Sequence, residues 1–544
     1  MVSKPATAVR RISSSPVGSP WPQRISRYGS LAVRLRYQKL SRSSTRVCEN
    51  AIIANAINIE TRTHHRNGRI RHGSPMASNP SDQNAILEGT VTRVLLGMAV
   101  PVALGMLSTF LFQVVDTYFV GMLGPEFLAA ISFTSPVYML LMSLNIGLSV
   151  GVSTVIAKAL GAGDRQRAGE LAALSIGLVV VVSIVVCGLG YLTIGPTFRA
   201  LGARGEIVSL VSTYMSILYV GMPCVMTGLI CGGILRASGR ARAPEVIMAI
   251  AGAINLVLDY VLIFGVGPFP ELGLAGAALA TAIAWVFVLV GMLVVLARAG
   301  LVRVQGLKPR TALREIRGVL GIGVPAMATQ ILTPVTTLLI TYLVARHGAD
   351  AIAAFGVASR IQALAMVGVF GVGTAVTPFI AQNLGAGLQG RIDDAIVFAG
   401  KAATYWGIGV FAVLALTAAP LAAMFSDSEA VQYYTRMYFY IVGATYVPFG
   451  LLSVTASIFN GVVDPTKALR ILIAKAVFTV PLVVVGSTQG AVGIFAALAI
   501  SNVLGGIYAA RTMKRHLAAA GTSLAQRDAR ADYVADLAAL FGGR

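Results

Sequence analysis

Acidic residues are scarce in this chain: 22 Asp and Glu among 544 residues, against 43 Lys and Arg. All charged residues together make up 12%, while 56% are hydrophobic and the mean hydropathy is +0.77. That charge is about half of what soluble domains carry, which excludes a soluble enzyme of this size. Histidine is as rare. Only His347 and His516 lie beyond residue 75, neither in mid-span, so haem or a His-based metal centre is not expected. No Gly-x4-Gly-Lys-Ser/Thr loop is written anywhere, which excludes ATP hydrolysis by a P-loop. No Ser/His pairing or metal signature of a membrane protease is found either. Of the four cysteines, Cys48 precedes the apolar region and Cys187, Cys224 and Cys231 lie in apolar segments. Their spacing suits no metal and reads as buried thiols.

What is present is a series of long windows without charge. A bilayer-spanning helix needs about 20 mostly apolar residues. Twelve such spans are predicted, at 92–120, 128–157, 169–193, 207–235, 244–264, 273–297, 316–344, 352–381, 394–419, 431–458, 467–485 and 490–512. The charges between them alternate by side. One side collects 19 basic residues, among them Lys158, Arg167, Arg236, Arg303, Arg391, Lys467 and Lys514. The other has Arg199, Arg204 and Arg346, with Arg436 just inside a span. This bias predicts both ends of the bundle in the cytoplasm and a cell (inner) membrane location.

Much of the net charge of +21 sits elsewhere. Residues 1–75 hold 14 Lys and Arg and two acids, so nucleic-acid binding does not follow from the basic balance. The segment lacks the apolar core of a secretory signal. It reads either as an Arg- and Ser-rich organelle transit peptide, placing the protein in an organelle membrane, or as an extension ahead of a start at Met76. The expected organisation is a disordered leader (1–85), a first lobe (86–297), a cytoplasmic linker (298–315), a second lobe (316–515) and a cytoplasmic tail (516–544).

The chain is written twice. Shifted by 224 positions, Gly97–Gly163 aligns with Gly321–Gly387 without a gap, with 21 identities over 67 positions. Chance in so biased a composition gives roughly one in ten. Pro101 meets Pro325, Thr117-Tyr118 meets Thr341-Tyr342, and Leu-Gly-Ala-Gly at 160–163 meets itself at 384–387. Six spans separate the copies, so both start on the same side. The predicted fold is all-α and integral to the membrane, with twelve helices in two six-helix bundles related by a pseudo-two-fold axis. That is a transporter architecture.

The ionisable residues at membrane depth break the repeat. Asp116 lies in span 1 opposite Ile340; Asp259 lies in span 5, one turn after Asn255. The second half offers no acid in the corresponding spans, only Arg360 in span 8 and Lys475 in span 11. An intramembrane carboxylate is costly and tends to face a cavity. Two of them in a low-dielectric cavity suit a proton-coupled carrier. With Asn and Thr oxygens the same pair suits Na⁺.

Twelve spans in two lobes, "VDTYFVG" in span 1 and the doubled "LGAG" closing spans 2 and 8 resemble the multidrug and toxic compound extrusion (MATE) family, over about residues 88–515. The acids in the first lobe, with none in spans 7 and 8, resemble its DinF-like branch. The resemblance implies ion coupling at Asp116, Asn255, Asp259 and Thr281, and a bend at Pro101. It implies a cavity to which Tyr214, Gln113, Thr109 and Met139 contribute, with Met106, Phe110, Phe112 and Met142 nearby; Arg360, read from its place in span 8, either lines that cavity or snorkels to an interface. It further implies a monomer that exports amphipathic, often cationic organic compounds in exchange for H⁺ or Na⁺, without a cofactor or a nucleic-acid partner. A lipid-linked precursor flippase, an integral-membrane enzyme and a channel are the alternatives. The duplicated halves argue against a channel, and the missing catalytic cluster against an enzyme.

Overall fold

The computed structural model of the chain describes residues 86–303 and 309–520. The predicted leader, the middle of the linker and most of the predicted tail lie outside the described residues. The described residues form α-helices joined by short turns, with two 3-10 turns and no strand. Spans 1 to 6 are Val91–Leu123, Pro125–Gly161, Arg165–Leu192, Glu206–Ala237, Arg242–Phe264 and Leu274–Ala299. Span 7 is Pro309–Ala345, span 9 is Gln389–Phe425, span 11 is Pro465–Gly486 and span 12 is Gly490–Ala520.

Among the described residues, eleven helical segments are long and apolar enough to cross a membrane, and the last of them, Pro465–Ala519, runs for 55 residues. At about 1.5 Å per residue that is far more than the roughly 30 Å of a bilayer core. It reverses at the 3-10 turn Ser487–Gln489, where Gly490 takes a φ of 84° that other residues avoid. The two arms are spans 11 and 12, which makes twelve crossings.

Two spans of the second lobe are broken, one without a proline to announce it and one just ahead of Pro448. Span 8 consists of Ala349–Ala365 and Val367–Gly385; span 10 consists of Glu429–Ile441 and Tyr446–Gly461 around the 3-10 turn Gly443–Thr445. A break in the bilayer frees carbonyls that need donors. The Ala365 carbonyl accepts from the Trp406 indole Nε1 at 2.7 Å. The counterpart positions in spans 2 and 4 run through as continuous helix, as does span 1 through Pro101.

There are two apolar cores: one joins spans 2 to 6 with Val120 of span 1 and Val319 of span 7, and the other joins spans 8 to 12 with Leu95 to Val102 of span 1 and Ile340 to Val344 of span 7. Between them, contacts recur in pairs under the 224 shift. Gly147 of span 2 abuts the backbone of Met327 in span 7; its counterpart Gly371 in span 8 abuts Ala99 and Ala103 in span 1. Positions 103 and 327 are themselves equivalent. Gly161 of the first LGAG meets the Gln382 backbone, and Gly385 of the second meets that of Lys158, again one pair read twice. Such reciprocal contacts are the mark of a two-fold axis. The repeated tetrapeptide is therefore the place where the lobes touch, besides being the end of two helices.

Just beyond, the two repeated arginines reach across. Asp164 accepts from the Arg167 N–H at 2.9 Å, which starts span 3 and sets Arg167 on its first turn. Arg167 pairs with Glu315 at the start of span 7 at 3.0 Å. Arg391 donates to the carbonyls of Ile86 and Gly89, ahead of span 1, at 2.8 and 2.7 Å, and to Asn383 Oδ1 at 2.9 Å. All of these contacts lie toward the end that carries the basic connections. Hydrogen bonds from a charged donor contribute about 1.5–3 kcal/mol each when buried, less at a half-exposed site. Arg391→Ala is expected to lower stability by about 1–3 kcal/mol. The check is the unfolding midpoint in detergent, with Arg391→Lys recovering only part because an ammonium lacks the planar fork.

Toward the other end the lobes diverge. At 100° per residue, Val114 and Tyr118 continue the face of span 1 on which Ala103 meets the partner lobe. They are 64% and 65% exposed, and their equivalents Leu338 and Tyr342 are 60% and 63% exposed. A cleft between the lobes thus opens away from the basic end.

Candidate functional site: a carboxyl pair in one lobe

Spans 1 and 5 lie side by side in parallel. Gly105 leaves room for the Glu245 side chain, which pairs with Arg236 at 3.0 Å, and Gly252 leaves room for the Phe112 ring. Further along, Phe119 packs on Tyr260 and Phe264, each with ring centroids 6.1 Å apart. This register brings the two intramembrane acids to the same level.

The Asp116 and Asp259 carboxyls lie close enough to interact directly. Asp259 is fully buried. Asn255 Nδ2, one turn before it, donates to Asp259 Oδ1 at 3.3 Å and to Thr281 Oγ1 of span 6 at 3.4 Å. Asp116 Oδ1 and Asp259 Oδ2 are both buried without a hydrogen-bond partner. An orphaned carboxylate oxygen in a dry site is costly, and such a group is receptive to a cation or a proton.

The four residues proposed for ion coupling are thus joined, with Thr281 held through Asn255. Tyr214 of span 4 is buried and lies within electrostatic reach of both carboxyls. Thr109 shares the Asp116 face of span 1, but its hydroxyl is tied to the Gly105 carbonyl at 2.9 Å. Gln113 is exposed one turn before Asp116. Met139 is 58% exposed, and the wall of the site comes instead from its neighbour Tyr138. Tyr138 lies within reach of Asp116 and stacks on Trp285 of span 6, with centroids 6.2 Å apart and planes 8° from parallel. Arg360 is exposed on the first piece of span 8 and is not brought to this cluster. Of the thiols, Cys187 and Cys231 are buried as expected. Cys224 is half-buried, facing an open groove of about 620 Å³ with Tyr191 and Val286.

Tyr138 and Trp285 were not among the candidates. Two signals point to them. Trp285 follows Thr281 by four, on the same helix face. Tyr138 and Tyr214 map under the repeat to Gln362 and Tyr438, polar in both lobes, and there the Tyr438 hydroxyl donates to Gln362 Oε1 at 2.8 Å. Around that pair the second lobe has Ile340 and Val483, both buried, where the first has Asp116 and Asp259.

Comparison with known proteins follows the repeat. The MatE family matches twice, at residues 101–261 and 325–485, again 224 apart. A FAD transporter of Shewanella oneidensis is 33% identical over 430 residues, covering 78% of this chain and 95% of that protein. The multidrug export protein MepA of Staphylococcus aureus is 26% identical, covering 76% of this chain and 91% of its own. Among solved structures, a mutant of the Vibrio cholerae MATE transporter VcmN superposes with a TM-score of 0.76 at 26% identity. That alignment covers 80% of this chain and 99% of that one.

Proposed function

The chain belongs to the MatE family of membrane transporters, and on that premise we propose that it is a proton-driven antiporter exporting amphipathic organic compounds. The observation that carries the choice of ion is the close approach of two buried carboxyls, Asp116 and Asp259, each with an oxygen left without a hydrogen-bond partner. Two carboxylates in one dry site repel, and a single proton relieves this by letting one carboxyl donate to the other. Asn255 turns its NH₂ toward the pair, which suits a proton better than a metal cation wanting oxygen ligands.

The basic bias supports a cytoplasmic basic end. The reciprocal contacts of spans 1, 2, 7 and 8 then close the cytoplasmic side, and the cleft opens outward. In that state the carboxyl pair takes up a proton from outside and the substrate leaves. Rocking the lobes the other way exposes the pair to the cytoplasm, where the proton is lost and substrate is taken up. Only one lobe carries acids at membrane depth, so the cycle needs a single ion site.

The test is ethidium efflux from proteoliposomes under separately imposed H⁺ and Na⁺ gradients. A pH gradient alone is expected to drive it, saturably. Efflux that follows the Na⁺ gradient and ignores pH would overturn proton coupling; efflux under neither would overturn the antiporter.

A further inference from the structure

The second lobe holds a charge that the proton-coupling site does not use. Lys475 lies ten residues into span 11, about 15 Å along the helix. That is near the middle of a bilayer core, where a bare ammonium costs a few kcal/mol. The acids of the second lobe are Glu315, Asp350, Asp393, Asp394, Asp427, Glu429 and Asp464, all at span ends. Among the described residues its partner is aromatic: Nζ stands 4.5 Å from the centre of the Phe449 ring. Phe449 in turn meets Phe370 of span 8 edge to face at 6.4 Å.

The repeat fixes where this lysine points. Asn255 and Asp259 turn into the interior of the first lobe, and under the 224 shift they become Thr479 and Val483. Lys475, Thr479 and Val483 are spaced by four, so Lys475 shares the inward face of span 11. Thr479 is bonded to Ser501 of span 12, and the Lys475 stem runs along Gly505, the counterpart of Thr281. Phe370 adjoins Gly371, which touches span 1 of the other lobe. The ammonium therefore sits on the lobe's inner wall, near the lobe boundary, against the Phe449 ring with Phe370 beyond it and, among the described residues, without a counter-charge.

We propose that Lys475 is the anion-recognition residue of a second substrate subsite, which takes the carboxylate or phosphate of a flat aromatic substrate whose ring lies against Phe449 and Phe370. The inference rests on the antiporter reading and extends its substrate class from organic cations to aromatic organic anions and zwitterions. The lobes then divide the work, protons in the acidic one and anionic groups in the basic one.

The experiment uses the full chain in proteoliposomes under a pH gradient with four probes: flavin mononucleotide (aromatic phosphate), carboxyfluorescein (aromatic carboxylate), riboflavin (the same flavin ring, uncharged) and ethidium (a cation). Wild type is expected to export at least one of the two anions. Lys475→Met is expected to lower kcat/KM for that anion about tenfold or more, the scale of one charge-assisted hydrogen bond. Ethidium and riboflavin should change less than about twofold, and Lys475→Arg should retain most of the anion transport. Which anion is lost tells phosphate from carboxylate recognition. An equal loss of all four probes would make Lys475 structural and overturn the proposal, as would unchanged anion transport in Lys475→Met or a wild type that moves neither anion. Failure of the antiporter reading looks different, since no probe would then respond to the gradient.

Discussion

Asp259→Asn is expected to reduce pH-gradient-driven efflux at least about 100-fold while leaving the amount and dispersity of the purified protein unchanged. The carboxyl is fully buried, adjoins that of Asp116 and accepts a hydrogen bond from Asn255. An amide of the same shape fills the same space. It relieves the cost of burying a carboxyl, so the unfolding midpoint should hold or rise. What the amide cannot do is release and rebind a proton. The effect thus falls on coupling and not on folding, which separates it from a core mutation. Asp116→Asn should act in the same direction, and the double mutant should add little, because a shared proton makes the two carboxyls one unit. Undiminished efflux in Asp259→Asn would remove the pair from the mechanism.

Much of this site was legible in the sequence because membrane solvent makes polar residues conspicuous. In a chain with 22 acids, two of them in apolar spans stand out, and the repeat shows that their lobe alone has them. Asn255 and Thr281 followed from helix spacing and family resemblance. Tyr138 and Trp285 did not stand out, since aromatic residues in a membrane span are ordinary and their role depends on which way each helix is turned. Met139 shows the sensitivity: it is one position, or 100°, away from the residue that reaches the site. The break in span 8 was hidden for a related reason: no proline stands there, and the Trp406 indole that satisfies the open carbonyl comes from 41 residues away. The break in span 10 has a local mark in Pro448, which cannot bond back to Ala444 in the 3-10 turn. The helix count was legible throughout, because length and charge bias need no tertiary information.

Gly147→Leu is expected to cut transport at least about tenfold by a different route, through the contact between the lobes. A side chain at 147 would overlap the Met327 backbone, with the Ala326 carbonyl carbon only 2.8 Å from its first atom. Backbone cannot rotate away as a side chain does, so either the two helices part or the contact does not form. The same holds for Gly371→Leu, whose first atom would come 2.8 Å from the Ala99 carbonyl oxygen. The repeat therefore predicts that the two substitutions behave alike, although one lies in the lobe with the acids and the other does not. Gly188→Leu is the control, since no atom lies within 4 Å of the position its Cβ would take. If the lost contact is what holds the cytoplasmic side shut, the population moves away from the outward-open form. A cysteine introduced at Tyr118, on the exposed wall of the cleft, should then react more slowly with an impermeant thiol reagent added outside. Normal transport and unchanged labelling in Gly147→Leu would mean that the close approach of spans 2 and 7 is packing without a part in the cycle. Slow labelling with lost transport would identify the repeated glycines as the hinge contact on which the two lobes alternate.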